Sequence, residues 1–206
     1  MELAEIVPWG RAFDEYRAMF ALSDADLGRR MLGCGDGPAS FNAGASARGA
    51  DVVSVDPLYA FDADTIAERI AAVRPQIEAG LRAAPERYLW THFRTVDDLV
   101  RTRLEAMNRF LDDYPGPGAS PRYVDAALPT LPFEDGAFDL VVVSHLLFTY
   151  SEHLGADGHR DGLSELLRVS REVRLFPLLT LNGEPSPHVE PVIAQAQAAG
   201  WKADIV

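Results

Sequence analysis

The sequence predicts an α/β protein with a doubly wound, mostly parallel sheet and an inserted helical cap. Three observations predict it. From residue 30 onward, apolar runs of strand length alternate with segments of helical periodicity. The first of these runs opens directly into a glycine-rich turn, Met31-Leu32-Gly33-Cys34-Gly35-Asp36-Gly37. Between the second and third runs lies a stretch, residues 62–118, much longer than an ordinary connection.

Taken in order, residues 11–21 place apolar side chains at helical spacing, and residues 23–27 read as a turn or a short second helix. Residues 30–32 form a short first strand entering the glycine turn. Residues 39–48 read as a helix that Gly49 stops. Residues 51–55 are a β-branched, buried strand. Two helical patterns, 62–84 and 96–114, flank an aromatic joint (88–93) and make up the cap, which Pro115-Gly116-Pro117-Gly118 closes. Residues 122–126 resume as a strand, 131–139 are rich in turn residues, and 140–144 read as a central strand buried on both faces. Residues 161–170 are expected as a helix, 172–179 as a strand, 190–199 as a helix stopped by Gly200, and 201–206 as a last strand. The whole chain reads as one domain.

The composition narrows the function. An apolar fraction of 48% supplies a packed core, and a net charge of -12 disfavours nucleic-acid backbones. Arg101, Arg103 and Arg109 are the best basic cluster and read as a solvated helix face. The single cysteine, Cys34, excludes an intrachain disulfide and reads as a small buried apolar side chain. With no apolar run of bilayer length and an acidic start, a cytoplasmic location away from membranes is the expectation.

The glycine turn and the next strand carry the chemistry. Glycines allow positive φ and close backbone approach. Val52-Val53-Ser54-Val55 ends in Asp56, placed to accept hydrogen bonds from a ribose diol. This pattern points to a nucleoside-containing cofactor. A nicotinamide fingerprint needs its third glycine one position later, and Asp36 would set a carboxylate near a pyrophosphate, so a cofactor without phosphate fits better.

At these residues the chain resembles the class I S-adenosylmethionine-dependent methyltransferases, whose Rossmann-like fold the predicted elements match. Their G-x-G-x-G turn corresponds to Gly33, Gly35 and Gly37, and their ribose-binding acid to Asp56. Their "LPF-x-D-x-x-FD-hydrophobic" segment, typical of small-molecule enzymes, is similar to residues 131–143. The resemblance implies S-adenosylmethionine as cofactor, held by Gly33, Cys34, Gly35 and Gly37, by Asp56, Pro57 and Leu58, and by Ala127 and Leu128 at the adenine edge. Ser144 and Leu146, with His145, would line the methyl-transfer end. The chain departs from the family at Met31 and Ala127, where acids are usual (Asp125 is the nearest), and in an apparently missing seventh strand. An oligomer through the exposed C-terminal sheet edge is one consequence. These departures keep a second reading open, a non-catalytic binding or interaction module.

His145, just beyond the strongest strand, is either a general base or a histidine satisfied by backbone at a helix start. His153 and His159, with Asp157 and Asp161, match no compact metal motif and read as a polar loop; no metal is expected. Tyr88, Trp90, His92 and Phe93 are either a substrate lid or the cap's own small core, with Tyr150 a further candidate for the acceptor side. Tyr16, Met19 and Phe20 fold over the cofactor or pack in the core. No Asn/Asp-Pro-Pro-Tyr/Phe and no Pro-Cys nucleophile is present, which with the acidic charge points to a small-molecule or protein acceptor, the small molecule being the leading expectation.

Overall fold

The computed structural model describes residues 8–87 and 90–206. Its centre is a five-stranded, all-parallel sheet in the order β3-β2-β1-β4-β5. The strands are β1 (Arg30–Cys34), β2 (Asp51–Val55), β3 (Tyr123–Val124), β4 (Leu140–Ser144) and β5 (Val173–Phe176). The order reverses between β1 and β4, so crossovers leave the sheet in opposite directions there. A crevice opens at the carboxyl ends of those two strands, where open α/β sheets bind ligands.

Alternation along the strands builds a core on each face. Met31, Val52, Leu140 and Val142 point to one side, against α1 (Phe13–Met19) and α3 (Phe41–Ser46). Leu32, Cys34, Val53, Val55, Val141 and Val143 point to the other, against Leu166 and Val169 of α6 (Ser151–Val169) and the Leu131–Phe138 turn. Strands buried on both faces read as continuous apolar runs, as residues 140–144 do. α2 (Asp24–Leu27) is the short second helix, capped by Ser23.

The cap consists of α4 (Ala63–Ala83) and α5 (Val96–Asp113), both begun by a side-chain cap, from Asp62 and Thr95 respectively. An aromatic cluster of Tyr59, Phe110, Tyr114 and Tyr123, with ring centroids 5.2–5.9 Å apart, joins α5 to the sheet. Ile77, Leu81, Leu99 and Val100 form the cap's outer core, and Trp90 and Phe93 pack against it.

Several expectations are corrected. Residues 201–206 carry no strand; after Gly200, at φ +85°, Trp201 and Ala203 pack instead against the cluster between α6 and α7 (Val189–Ala198). No strand pairs with the outer edge of β5 among the described residues. β5 stops at Phe176 rather than running to Leu179, since Pro177 has no N–H for the ladder. β3 is cut to two residues. Residues 151–160, expected as a polar loop, form the first part of α6, whose propensity glycines 155, 158 and 162 had masked; Gly155 kinks the helix at φ +60°. Arg103 is not on a solvated face but buried, whereas Arg101 and Arg109 are exposed.

Candidate functional site

A cavity of about 800 Å³ occupies the crevice beneath the cap. Its floor is the turn after β1. Gly35 holds φ +72° and donates its amide to the Val55 carbonyl at 2.9 Å, tying the turn to β2. A Cβ at Gly35 would lie 2.5 Å from Leu146 Cδ2, so glycine is needed for space as well as for φ.

Asp56, at the end of β2, accepts the Gly37 amide on Oδ2 and the Leu58 amide on Oδ1, both at 2.8 Å. The acid and the glycine turn are thereby bonded to each other across the cavity wall. Burial raises the Asp56 pKa to about 6, against the two amides that favour its anion, and Asp125 adds to the rise. Each carboxylate oxygen keeps a second lone pair for a ligand hydroxyl.

Asp36 turns inward under the turn. Tyr16 donates its hydroxyl to Oδ1 at 2.8 Å and Ser54 to Oδ2 at 2.6 Å. A Cβ at Gly33 would sit 1.9 Å from Asp36 Oδ2, so that glycine makes room for the carboxylate. Burial is the main cause that raises Asp36 to about 7; the two hydroxyls oppose it and Asp56 adds to it.

The segment before α1 clamps the turn. Gly10 lies against the Pro38 carbonyl so closely that a Cβ would be 2.0 Å from the oxygen, and Ser40 donates its amide to the Arg11 carbonyl at 3.0 Å. This places the Arg11 side chain in the cavity. Glu15 of α1 and Arg103 of α5 form a buried ion pair that joins this segment to the cap.

Ser144 and His145 follow β4. His145 holds φ +53°, a left-handed conformation uncommon for a non-glycine residue, and donates its amide to the Phe176 carbonyl at 2.6 Å. Its Nδ1 lies 3.0 Å from Ser144 Oγ. Burial lowers the imidazole pKa well below its usual value, and the Arg11 and Arg103 charges lower it further, so the ring is neutral near pH 7.

The cavity wall brings together Cys34, Gly35, Gly37, Asp56, Pro57 and Leu58. Ala127, Leu128, Ser144, His145 and Leu146 share it, as do Tyr16, Trp90 and Tyr150. Gly33 stays within β1 beneath Asp36 and does not reach the wall, and His92 is exposed, its ring edge-on to Phe93. Tyr88 lies outside the described residues. Tyr16 is both core and wall, since its ring stacks on Phe41 at 4.4 Å while its hydroxyl reaches Asp36. Trp90 and Phe93 likewise line the cavity and pack in the cap. Among the described residues no group of three potential metal ligands exists.

Arg11, Arg103 and Thr149 also face the cavity, and sequence reasoning did not single them out as a group. One signal was available. Arg103 falls at the apolar positions of α5, in the series Leu99, Val100, Arg103, Ala106, Met107 and Phe110, where a charge is buried and needs a partner.

No family model matches the chain. It is 31% identical over 205 residues to the "Uncharacterized protein MJ0045" of Methanocaldococcus jannaschii, an alignment spanning 99% of this chain and 92% of that protein. A match of that extent and identity places the chain in the same family as the archaeal protein.

Proposed function

We propose that the protein is an S-adenosylmethionine-dependent methyltransferase acting on a small-molecule acceptor. The observation that carries this reading is Asp56, fixed by the Gly37 and Leu58 amides at the cavity wall with lone pairs left for a ribose diol. Asp36, buried, and Asp56, half-buried, suit a cofactor that brings positive charge and no phosphate. A volume of about 800 Å³ has room for such a cofactor beside a small acceptor. Methyl transfer by direct displacement asks the protein mainly for alignment and exclusion of water, which the cap supplies. His145, neutral and close to Ser144, serves as the base for an acceptor hydroxyl or amine, its Nε2 free when Nδ1–H donates to Ser144 Oγ.

Calorimetric titration with S-adenosylhomocysteine tests the reading. Micromolar binding is the expected result; its absence in folded protein sinks the cofactor assignment. Asp56→Asn should weaken that binding between about tenfold and a hundredfold, the value of a charge-assisted hydrogen-bond pair. An amide at this position also turns an NH2 toward one of the two backbone donors. Unchanged affinity in the variant would remove Asp56 from the site.

A further inference from the structure

Two guanidinium groups line the cavity near His145, and one carboxylate serves both. Arg103 is ion-paired with Glu15, with side chains only 8% and 9% exposed. The same Glu15 oxygen also accepts the Ala12 amide at 2.9 Å. Arg11 has no ion pair among the described residues: Nη1 donates to the Trp9 carbonyl at 3.3 Å, and Nε is buried without a partner. Asp36, a second acid on the cavity wall, is taken by Tyr16 and Ser54. Thr149 Oγ1, on a side chain in a residue 9% exposed, is a second unpartnered polar atom in the same cavity.

Arg11 is half-buried, but its Nε is fully buried and unpartnered, and buried polar atoms are normally satisfied. Burial is the main cause that lowers the Arg11 pKa, to about 9, and repulsion from Arg103 lowers it further. An anion between the two forks offsets both costs. Two guanidiniums against Glu15 leave one surplus positive charge, which a carboxylate neutralises and a phosphate dianion overshoots. A planar carboxylate also matches the guanidinium fork.

We propose that Arg11 and Arg103 form a carboxylate-binding subsite at the His145 end of the cavity. The subsite stands on these residues; the identity of the molecule that fills it rests on the methyltransferase reading. It is either the amino-acid end of the cofactor or an acid group on the acceptor.

Arg11→Met is the probe, because no ion pair is lost with it. Its Tm should equal or exceed that of the wild type. Calorimetry compares S-adenosylhomocysteine with 5′-methylthioadenosine, which lacks the carboxylate. If the cofactor supplies the carboxylate, Arg11→Met weakens the first at least tenfold and leaves the second unchanged. If the acceptor supplies it, neither nucleoside is affected, and benzoate or succinate raises the Tm of the wild type but not of Arg11→Met, with neutral benzamide raising neither. If the wild type binds neither nucleoside but the acids still separate it from Arg11→Met, the methyltransferase reading falls and the subsite stands. The subsite is overturned if Arg11→Met responds to S-adenosylhomocysteine, benzoate and succinate as the wild type does. A Tm several degrees below the wild type would assign Arg11 a structural role and overturn it equally.

Discussion

Arg103→Met is expected to destabilise the fold by about 3–5 kcal/mol at neutral pH, the usual cost of breaking a buried ion pair from one side. Glu15 is left as a buried anion with one amide donor, Ala12. Relief of the repulsion between Arg103 and Arg11 offsets part of that loss. In the intact protein burial pushes the Glu15 pKa up, but the hydrogen bond and charge of Arg103 pull it further down, so it lies below its ordinary value. A depressed carboxylate contributes stability above its unfolded pKa and loses it as the pH falls through the folded one. Without Arg103 the folded pKa rises, and protonation then relieves the variant. The deficit should therefore be largest at pH 7–8 and shrink toward pH 4. Adding Glu15→Gln should recover much of it, since the charge left behind is the main cost. Urea unfolding of the single and double variants checks this. Equal instability of the two would mean that lost packing, not the orphaned charge, is responsible.

Asp36→Asn is expected to stabilise the protein at pH 8 by a few kcal/mol and to do nothing at pH 4. The folded Asp36 has a pKa near 7, raised chiefly by burial, against an ordinary value of 3.8. The sign follows from linkage: with the folded pKa above the unfolded one, the protonated acid stabilises at low pH, and this is lost as the pH climbs from about 4 to about 7. Above that window the protein carries a buried anion held by two hydroxyls. Asparagine removes the charge and keeps the shape. It retains one hydroxyl as donor, and Tyr16 has Ser144 as a second partner when its hydroxyl turns. For a chain of this length about 2–4 °C of Tm accompanies each kcal/mol. Melting curves at pH 8 and pH 4 are the measurement. A variant less stable at pH 8 would show that the anion's hydrogen bonds outweigh its burial. A stabilising substitution in the floor of a cavity identifies a charge kept for something other than folding, and under the proposed function that is the cationic cofactor.

Local sequence determined much of the scaffold, for physical reasons that act at short range. Apolar, β-branched runs marked residues 51–55 and 140–144, because strands buried on both faces are almost wholly apolar; Ser54 is admitted only with its hydroxyl bonded to Asp36. Caps and stops marked the helices: Gly49 ends the segment after α3 at φ +83°, and Asp62 opens α4. The glycines before Asp56 were legible because positive φ and close approach leave few residue choices. The C-terminal end was not legible, since residues 201–206 look like a strand but pair with none, Trp201 and Ala203 packing on the α6–α7 cluster while Ile205 and Val206 stay exposed. The first part of α6 was hidden for the converse reason: packing of Leu154 and His159 outweighs the low propensity of its glycines. Only tertiary structure decided the electrostatics of the cavity. Residues 11, 15 and 103 are brought together by the seating of Gly10 on Pro38 and of α5 on the aromatic cluster, so the pattern of α5 marks Arg103 as buried but does not name its partners. Burial, a property of the whole fold, then sets the charge of Asp36, Asp56, Arg11 and His145.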